Sequence, residues 1–255
     1  MKFMAAADTD IGIYRADNQD SLLIKHAKYN NQEVLMAIVC DGMGGLSKGE
    51  LASATVIKSF SAWFDNQLEI ELENFDIDII GYKWSLLLKD LNAKIKRFGI
   101  ENNLSLGTTF TGILLFDDKY LIVHIGDSRA YYLGTEIIQL TVDQTYVQRE
   151  ITRGTMTVEE AKTDKRKNVL LQCVGASETI EPQVITGNIQ EGVYLLCSDG
   201  FTHEISSKEI FEGLNIKNLK DKNVMHENSR KLIETVKNRK EKDNISVIVI
   251  KVGGI

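Results

Sequence analysis

Residues 108–134 read TTFTGILLFDDKYLIVHIGDSRAYYLG. Three apolar runs rich in β-branched and aromatic side chains, 108–116, 120–125 and 130–134, are separated only by DDK and GDSR. Runs of this length and composition read as strands. Connections this short join antiparallel neighbours, because a parallel crossover takes a dozen residues or more. The centre of the chain is therefore antiparallel sheet.

Outward from it, VLMAIVC (34–40), GVYLLC (192–197) and ISVIVIKV (245–252) read as further strands. Between Gly49 and about Gln67, apolar residues recur at Leu51, Ala54, Val56, Ile57, Phe60 and Trp63, which is helical spacing. WSLLLKDLNAKI (84–95) repeats the pattern, and Thr157 with Glu160 predicts a capping box at the start of a shorter helix. Strands gathered together with helices set apart give an α+β class. The charged stretch from about 144 to 168 lacks a strong period and is expected to form a surface flap.

Composition narrows the possibilities. The 255 residues contain one proline, Pro182, and no Gly/Ser-rich linker, so a single domain over 1–255 is expected. An apolar share of 43% and a charged share of 26% are ordinary globular values. A net charge of −6 argues against nucleic acid as the partner. No apolar run is long enough to cross a membrane, and the start turns acidic before a signal-peptide core can form, so a cytoplasmic location is expected. Cys40, Cys173 and Cys197 follow no CxxC spacing and read as small hydrophobes.

The chemistry lies at the strand ends. Asp41 follows one apolar run and is trailed by glycines in DGMGG, Asp199 follows another in LLCSDG, and Asp127 follows a third in HIGDSR. Asp243 stands just before the last strand, and Asp20 closes RADNQD. A lone Asp-Gly is a common turn. Several acids at the ends of central strands are different, because neighbouring strands lie about 4.8 Å apart and their carboxylates converge. Converging carboxylates repel unless cations lie between them. Oxygen donors select hard ions such as Mg²⁺ or Mn²⁺, and glycines leave room for a backbone carbonyl and for water. Two such ions activate water for in-line attack on phosphorus, and Arg15 offers a fork for phosphate oxygens.

In order along the chain, GIYRADNQDS (12–21), VCDGMGG (39–45), SLGTTFTGILL (105–115), HIGDSRAYYL (124–133), QLTVDQTYVQREITRGTMTVEEA (139–161), LLCSDG (195–200) and KDNISVIVI (242–250) resemble successive elements of a known family. It is the metal-dependent protein serine/threonine phosphatases of type 2C, particularly their compact bacterial members. The resemblance implies a four-layer sandwich of two antiparallel β-sheets flanked by antiparallel helices. It implies that Asp41 bridges two Mn²⁺ or Mg²⁺ ions, that the Gly42 carbonyl completes one shell, and that Asp199 and Asp243 hold the other ion. Asp20 would support the site, Asp127 with Asp199 would hold a third, weaker ion, and Arg15 would bind the substrate phosphate. Implied partners are phosphorylated proteins, a Ser/Thr kinase or its substrates among them, with the enzyme a monomer.

The chain departs from the family at several positions. Met43 stands where some members carry a histidine assigned as general acid. Gln19 replaces a common glutamate, Gln144 a frequent histidine, and His203 stands where some members have a metal-site aspartate. His124, inside a strand, reads as a core residue. The lysine-rich stretches KTDKRKN (162–168) and KNRKEKD (237–243) read as solvated faces, the first with an alternative role in attracting acidic or phosphorylated substrates. Two competing functions are an inactive binding or sensor protein on the same scaffold, and a metal-dependent nuclease or phosphodiesterase. The first predicts loss of a core acid. The second predicts an aromatic and basic stripe. The sequence has neither feature.

Overall fold

The structure, a computed structural model of the chain, describes residues 1–43 and 48–253. It opens with strands β1 (Phe3–Asp10), β2 (Ser21–Tyr29) and β3 (Gln32–Cys40), then helices α1 (Gly49–Asn66), α2 (Leu68–Glu73) and α3 (Ile77–Asn102). Strands β4 (Phe110–Phe116), β5 (Lys119–Ile125), β6 (Arg129–Leu133) and β7 (Ile137–Gln139) follow, then the short helices α4 (Tyr146–Thr152) and α5 (Val158–Thr163). The chain continues through β8 (Gln183–Asn188), β9 (Gly192–Cys197), α6 (Asp199–Thr202), α7 (Ser207–Leu214), α8 (Lys222–Asn238) and β10 (Ile245–Val252).

The strands form two antiparallel sheets of five, ordered β1-β10-β9-β6-β7 and β2-β3-β4-β5-β8. Because side chains alternate along a strand, a strand covered on both faces reads as a continuous apolar run. This is the case for β3. Leu35, Ala37 and Val39 meet Leu196, Ile248 and Ile250 between the sheets. Met36, Ile38 and Cys40 face Phe60 and Trp84 of the α1–α3 layer. On the far side, Leu195, Val247 and Val249 pack on Ile210, Met225 and Ile233 of α7 and α8. The order is helices, sheet, sheet, helices: the expected four-layer α+β sandwich.

Most sequence expectations match closely. The helix read from Gly49 and the strands at 192–197 and 245–252 appear with those bounds or within a residue of them. Thr157 and Glu160 form the capping box. The helix expected over 84–95 is longer, Ile77–Asn102, because Asp76 caps it by accepting from the Asp78 and Ile79 N–H groups. Strands β1, β2 and β8 and helices α7 and α8 carry weaker patterns and are additions. The three cysteines are free and buried. Among the described residues no helix is long and apolar enough to cross a membrane.

Candidate metal centre and active site

Strand register alone gathers the acids at one end of the sandwich. Ser21 pairs with Cys40, so one further step sets Asp20 opposite Asp41. Val39 pairs with Thr111, which brings Thr109 beside Asp41. Phe110 pairs with Ile125, which brings the Gly126–Asp127 turn next to Thr109. Arg129 pairs with Cys197 and Cys197 with Val247, so Asp127, Asp199 and Asp243 leave neighbouring strands at the same end.

Short polar side chains hold the backbone of these acids. The Thr109 hydroxyl accepts from the Asp41 N–H at 2.9 Å, and the Thr108 hydroxyl donates to the Asp41 carbonyl at 2.9 Å. Asn244 accepts from the Gln19 N–H at 2.9 Å and donates to the carbonyls of Ile11 and Asp17, pinning the loop that carries Arg15 and Asp20. Glu241 accepts from the Lys242 and Asp243 N–H groups at 2.7 and 2.9 Å. None of Thr108, Thr109, Asn244 or Glu241 is marked by charge pattern or periodicity. Asn244 and Glu241 have one signal, their place within two residues of Asp243; Thr108 and Thr109 have none, because strand pairing brings them to Asp41 from 67 and 68 positions away.

Gly42 also answers a packing need at this end of the sandwich. A Cβ there would lie 2.5 Å from the Gln19 carbonyl oxygen and 2.7 Å from the Gly49 backbone, so its bareness lets the chain itself close around the site. Gly44 and Gly45 lie outside the described residues.

The carboxylates differ in their company. Both Asp20 oxygens and Asp199 Oδ1 are buried with no hydrogen-bond partner. Burial first, and then the charges of Asp20, Asp199, Asp127 and Asp243, hold the Asp41 pKa well above the usual carboxylate range. Burial, with Asp199 and Asp243, pushes Asp20 up to about 7; the nearby hydroxyls of Ser246 and Ser198 oppose this without closing a hydrogen bond on it. Asp127 is raised by burial and by Asp199 and Asp143, and Asp199 by burial and Asp243. Asp243 alone has a guanidinium partner. Arg15 Nε and Nη2 reach its two oxygens at 3.0 and 2.7 Å, and this pairing, with the charges of Asp41 and Asp199, raises the Arg15 pKa. Arg15 and Asp243, given separate roles on sequence grounds, are thus joined.

The departures from the family pattern also find places. Gln19 donates to Glu50 at 3.2 Å. His203 lies 3.4 Å from both Asp199 and Glu241; burial lowers its pKa, but the Glu241 bond and Asp199 prevail and push it up to about 9. His124 is fully buried with Nδ1 on the Thr111 hydroxyl, and burial pulls it down to about 4. Segment 144–168 holds α4 and α5 and borders a cavity of about 460 Å³ whose lining includes Asp127, Asp199, His203, Lys162 and Lys167.

Among the described residues, no three His, Cys, Asp or Glu side chains stand as a closed ligand set. The donors nonetheless suit a hard divalent cation: they are oxygens, they crowd one another, and three of their atoms are buried without a partner.

Comparison with known proteins agrees. The protein phosphatase 2C family model matches residues 15–245. The serine/threonine protein phosphatase PstP of Mycobacterium tuberculosis is 32% identical over 247 residues, 96% of this chain. The chain spans only 44% of the length of that relative. The protein phosphatase PhpP of Streptococcus pneumoniae is 34% identical over 206 residues, covering 79% of this chain and 80% of PhpP. The crystal structure of the PstP catalytic domain in complex with two manganese ions superposes with a TM-score of 0.78 at 30% identity, over 99% of each chain. The chain belongs to the protein phosphatase 2C family.

Proposed function

We propose that this chain is a single-domain serine/threonine protein phosphatase that hydrolyses phosphoserine and phosphothreonine with the help of two Mn²⁺ or Mg²⁺ ions. The observation that carries the reading is the set of buried, under-partnered carboxylates around Asp41, beside the Arg15 guanidinium that pairs with Asp243. Asp41, the Gly42 carbonyl, Asp199 and Asp243 would hold the ions, with Asp20 in support; Asp127 with Asp199 would hold a third, weaker one. When bound, the ions supply Lewis acidity, lowering the pKa of a water and drawing charge from the phosphoryl oxygens.

The residues of the chain do the rest. Arg15 exchanges the Asp243 carboxylate for phosphate oxygens, which take the same two-pronged geometry. Thr108, Thr109 and Asn244 keep the acids at their strand ends, so little reorganisation accompanies the reaction. Met43 has no proton to give, so protonation of the leaving serine or threonine oxygen falls to water. The expected partners are phosphorylated proteins, a Ser/Thr kinase or its substrates among them, met by a monomer in the cytoplasm.

The test is hydrolysis of a phosphothreonine peptide by the full chain with EDTA, Mg²⁺ or Mn²⁺. Turnover is expected only with metal, falling on the order of a thousandfold in Asp199→Asn. Arg15→Lys, which keeps charge but loses the fork, should raise KM about tenfold. A folded protein with no turnover under any metal would instead favour a binding scaffold.

A further inference from the structure

One buried lysine breaks the apolar run of β10. Val247 and Val249 face the layer of α7 and α8, and alternation puts Lys251 on the same face. It is 8% exposed, and its Nζ donates to the Leu219 carbonyl at 2.9 Å. Among the described residues no carboxylate pairs with it. Burying an ammonium without a counter-charge costs free energy. The connector between α7 and α8 therefore rests on an uncompensated positive charge.

That connector holds the 3₁₀ turn Ile216–Asn218 and forms one wall of a cleft of about 510 Å³. Lys217, Lys220 and Lys231 line the cleft. The carboxylates nearby are engaged elsewhere. Glu212, also in the lining, lies 3.8 Å from Lys208, and Asp221 caps α8 by accepting from the Val224 N–H at 3.0 Å. Glu234 accepts from Lys237 at 2.8 Å. Lys217, Lys220 and Lys231 are left without an ion pair among the described residues. Between them the cleft is apolar, lined by Val224 and Leu232. Its walls are tied across by Asn228, whose amide donates to the Gly213 carbonyl at 3.0 Å and to the Asn218 carbonyl at 3.4 Å. The cleft thus keeps its shape without a ligand.

We propose that this cleft is a docking site for an acidic peptide segment of a partner protein, one with an apolar side chain among its carboxylates. The lysines take the carboxylates, and Val224 and Leu232 take the apolar side chain. On a chain of net charge −6, basic groups gathered in one cleft select a local acidic stretch rather than a long polyanion. None of the described lining residues is aromatic, so a nucleic-acid base finds no stacking platform. A concave cleft suits a peptide better than a lipid surface. From Ile245 to Lys251, β10 runs roughly 20 Å away from the strand-end acids, so a docked segment leaves them open.

The test uses the full chain in EDTA and the fluorescence anisotropy of a labelled peptide of about ten aspartates and glutamates around one leucine. Binding is expected, and Lys217→Gln/Lys220→Gln/Lys231→Gln should weaken it about tenfold. Lys2→Gln/Lys28→Gln/Lys58→Gln removes the same charge from exposed lysines elsewhere and should weaken it less than about twofold. Serine in place of the peptide leucine should weaken it about fivefold. All six lysines are exposed, and circular dichroism checks that both variants fold.

Equal weakening in the two triple variants would reduce the attraction to net charge and overturn the site. No binding by the folded wild-type chain at millimolar peptide would overturn it too. So would labelled oligothymidine, or phosphatidylserine vesicles, binding more tightly than the peptide and losing that affinity in the first triple variant. No arm uses metal or a phosphopeptide. A chain that hydrolyses nothing would therefore defeat the phosphatase reading and leave the docking site standing.

Discussion

Two groups of acids in this molecule are treated in opposite ways. On the outer face of β1, Asp8 accepts from His226 Nδ1 and Arg230 Nε, each at 2.9 Å, and Asp10 accepts from Lys237 Nζ at 2.9 Å, all three donors lying on α8. At the strand ends, Asp20 has no partner at all, Asp199 has one oxygen without any, and Arg15 serves Asp243 only. Burying a charge costs free energy unless a partner compensates it. The acids on β1 have their cations in the chain, so they fasten a helix to a sheet. The strand-end acids are short of cations, and the deficit marks a place where positive charge comes from outside.

The comparison can be broken by mutating one member of each group. Asp8→Asn should lower stability by about 1–2 kcal/mol, with or without metal, by leaving His226 and Arg230 unsupported. Asp199→Asn should do the reverse in EDTA, raising the melting midpoint by about 2–4 °C, because it removes a charge that its neighbours repel. Thermal melts of both variants with EDTA and with Mn²⁺ check the signs. Destabilisation by Asp199→Asn in EDTA would mean that the two groups are alike.

A smaller effect separates the groups by pH. Asp20 is pushed from an ordinary value of 3.8 to about 7, so the fold prefers its neutral form. The resulting penalty is absent below about pH 3.8 and complete above about pH 7. Lowering the pH from about 7.5 to 5.5 should therefore stabilise the metal-free chain. In the same window it should destabilise the Mn²⁺-loaded chain, since protons compete with the ions for the carboxylates. Melting midpoints in the two states should move in opposite directions.

How much of this was legible follows the same physics. Strands β3, β4, β5, β9 and β10 were readable because both their faces are buried, which leaves unbroken apolar runs. Helix α8 was not, because its buried stripe is Met225, Ser229, Ile233 and Val236, diluted by a serine and surrounded by charge. Strand β1, FMAAADTD, hides behind alanines that have little strand preference. Alternation of apolar runs with acids exposed Asp41, Asp127 and Asp199, and periodicity exposed α1 and α3, whereas family resemblance was needed to supply the four-layer arrangement. The hydrogen bonds of Thr109 and Asn244 follow from register and loop closure, which no single stretch encodes. The pairing of Arg15 with Asp243 spans 228 positions of sequence and depends wholly on the tertiary fold.

The strand-end acids are proposed to form a divalent-cation site. The most direct measurement is calorimetric titration of Mn²⁺ into EDTA-stripped full chain, beside Asp41→Asn, with circular dichroism to show that both are folded. The wild-type chain should bind two or more ions, and the variant, lacking the Asp41 carboxylate proposed to serve both, should lose most of that binding. Binding in Asp41→Asn equal to wild type, or no binding by folded wild-type protein at millimolar Mn²⁺, would contradict that proposal.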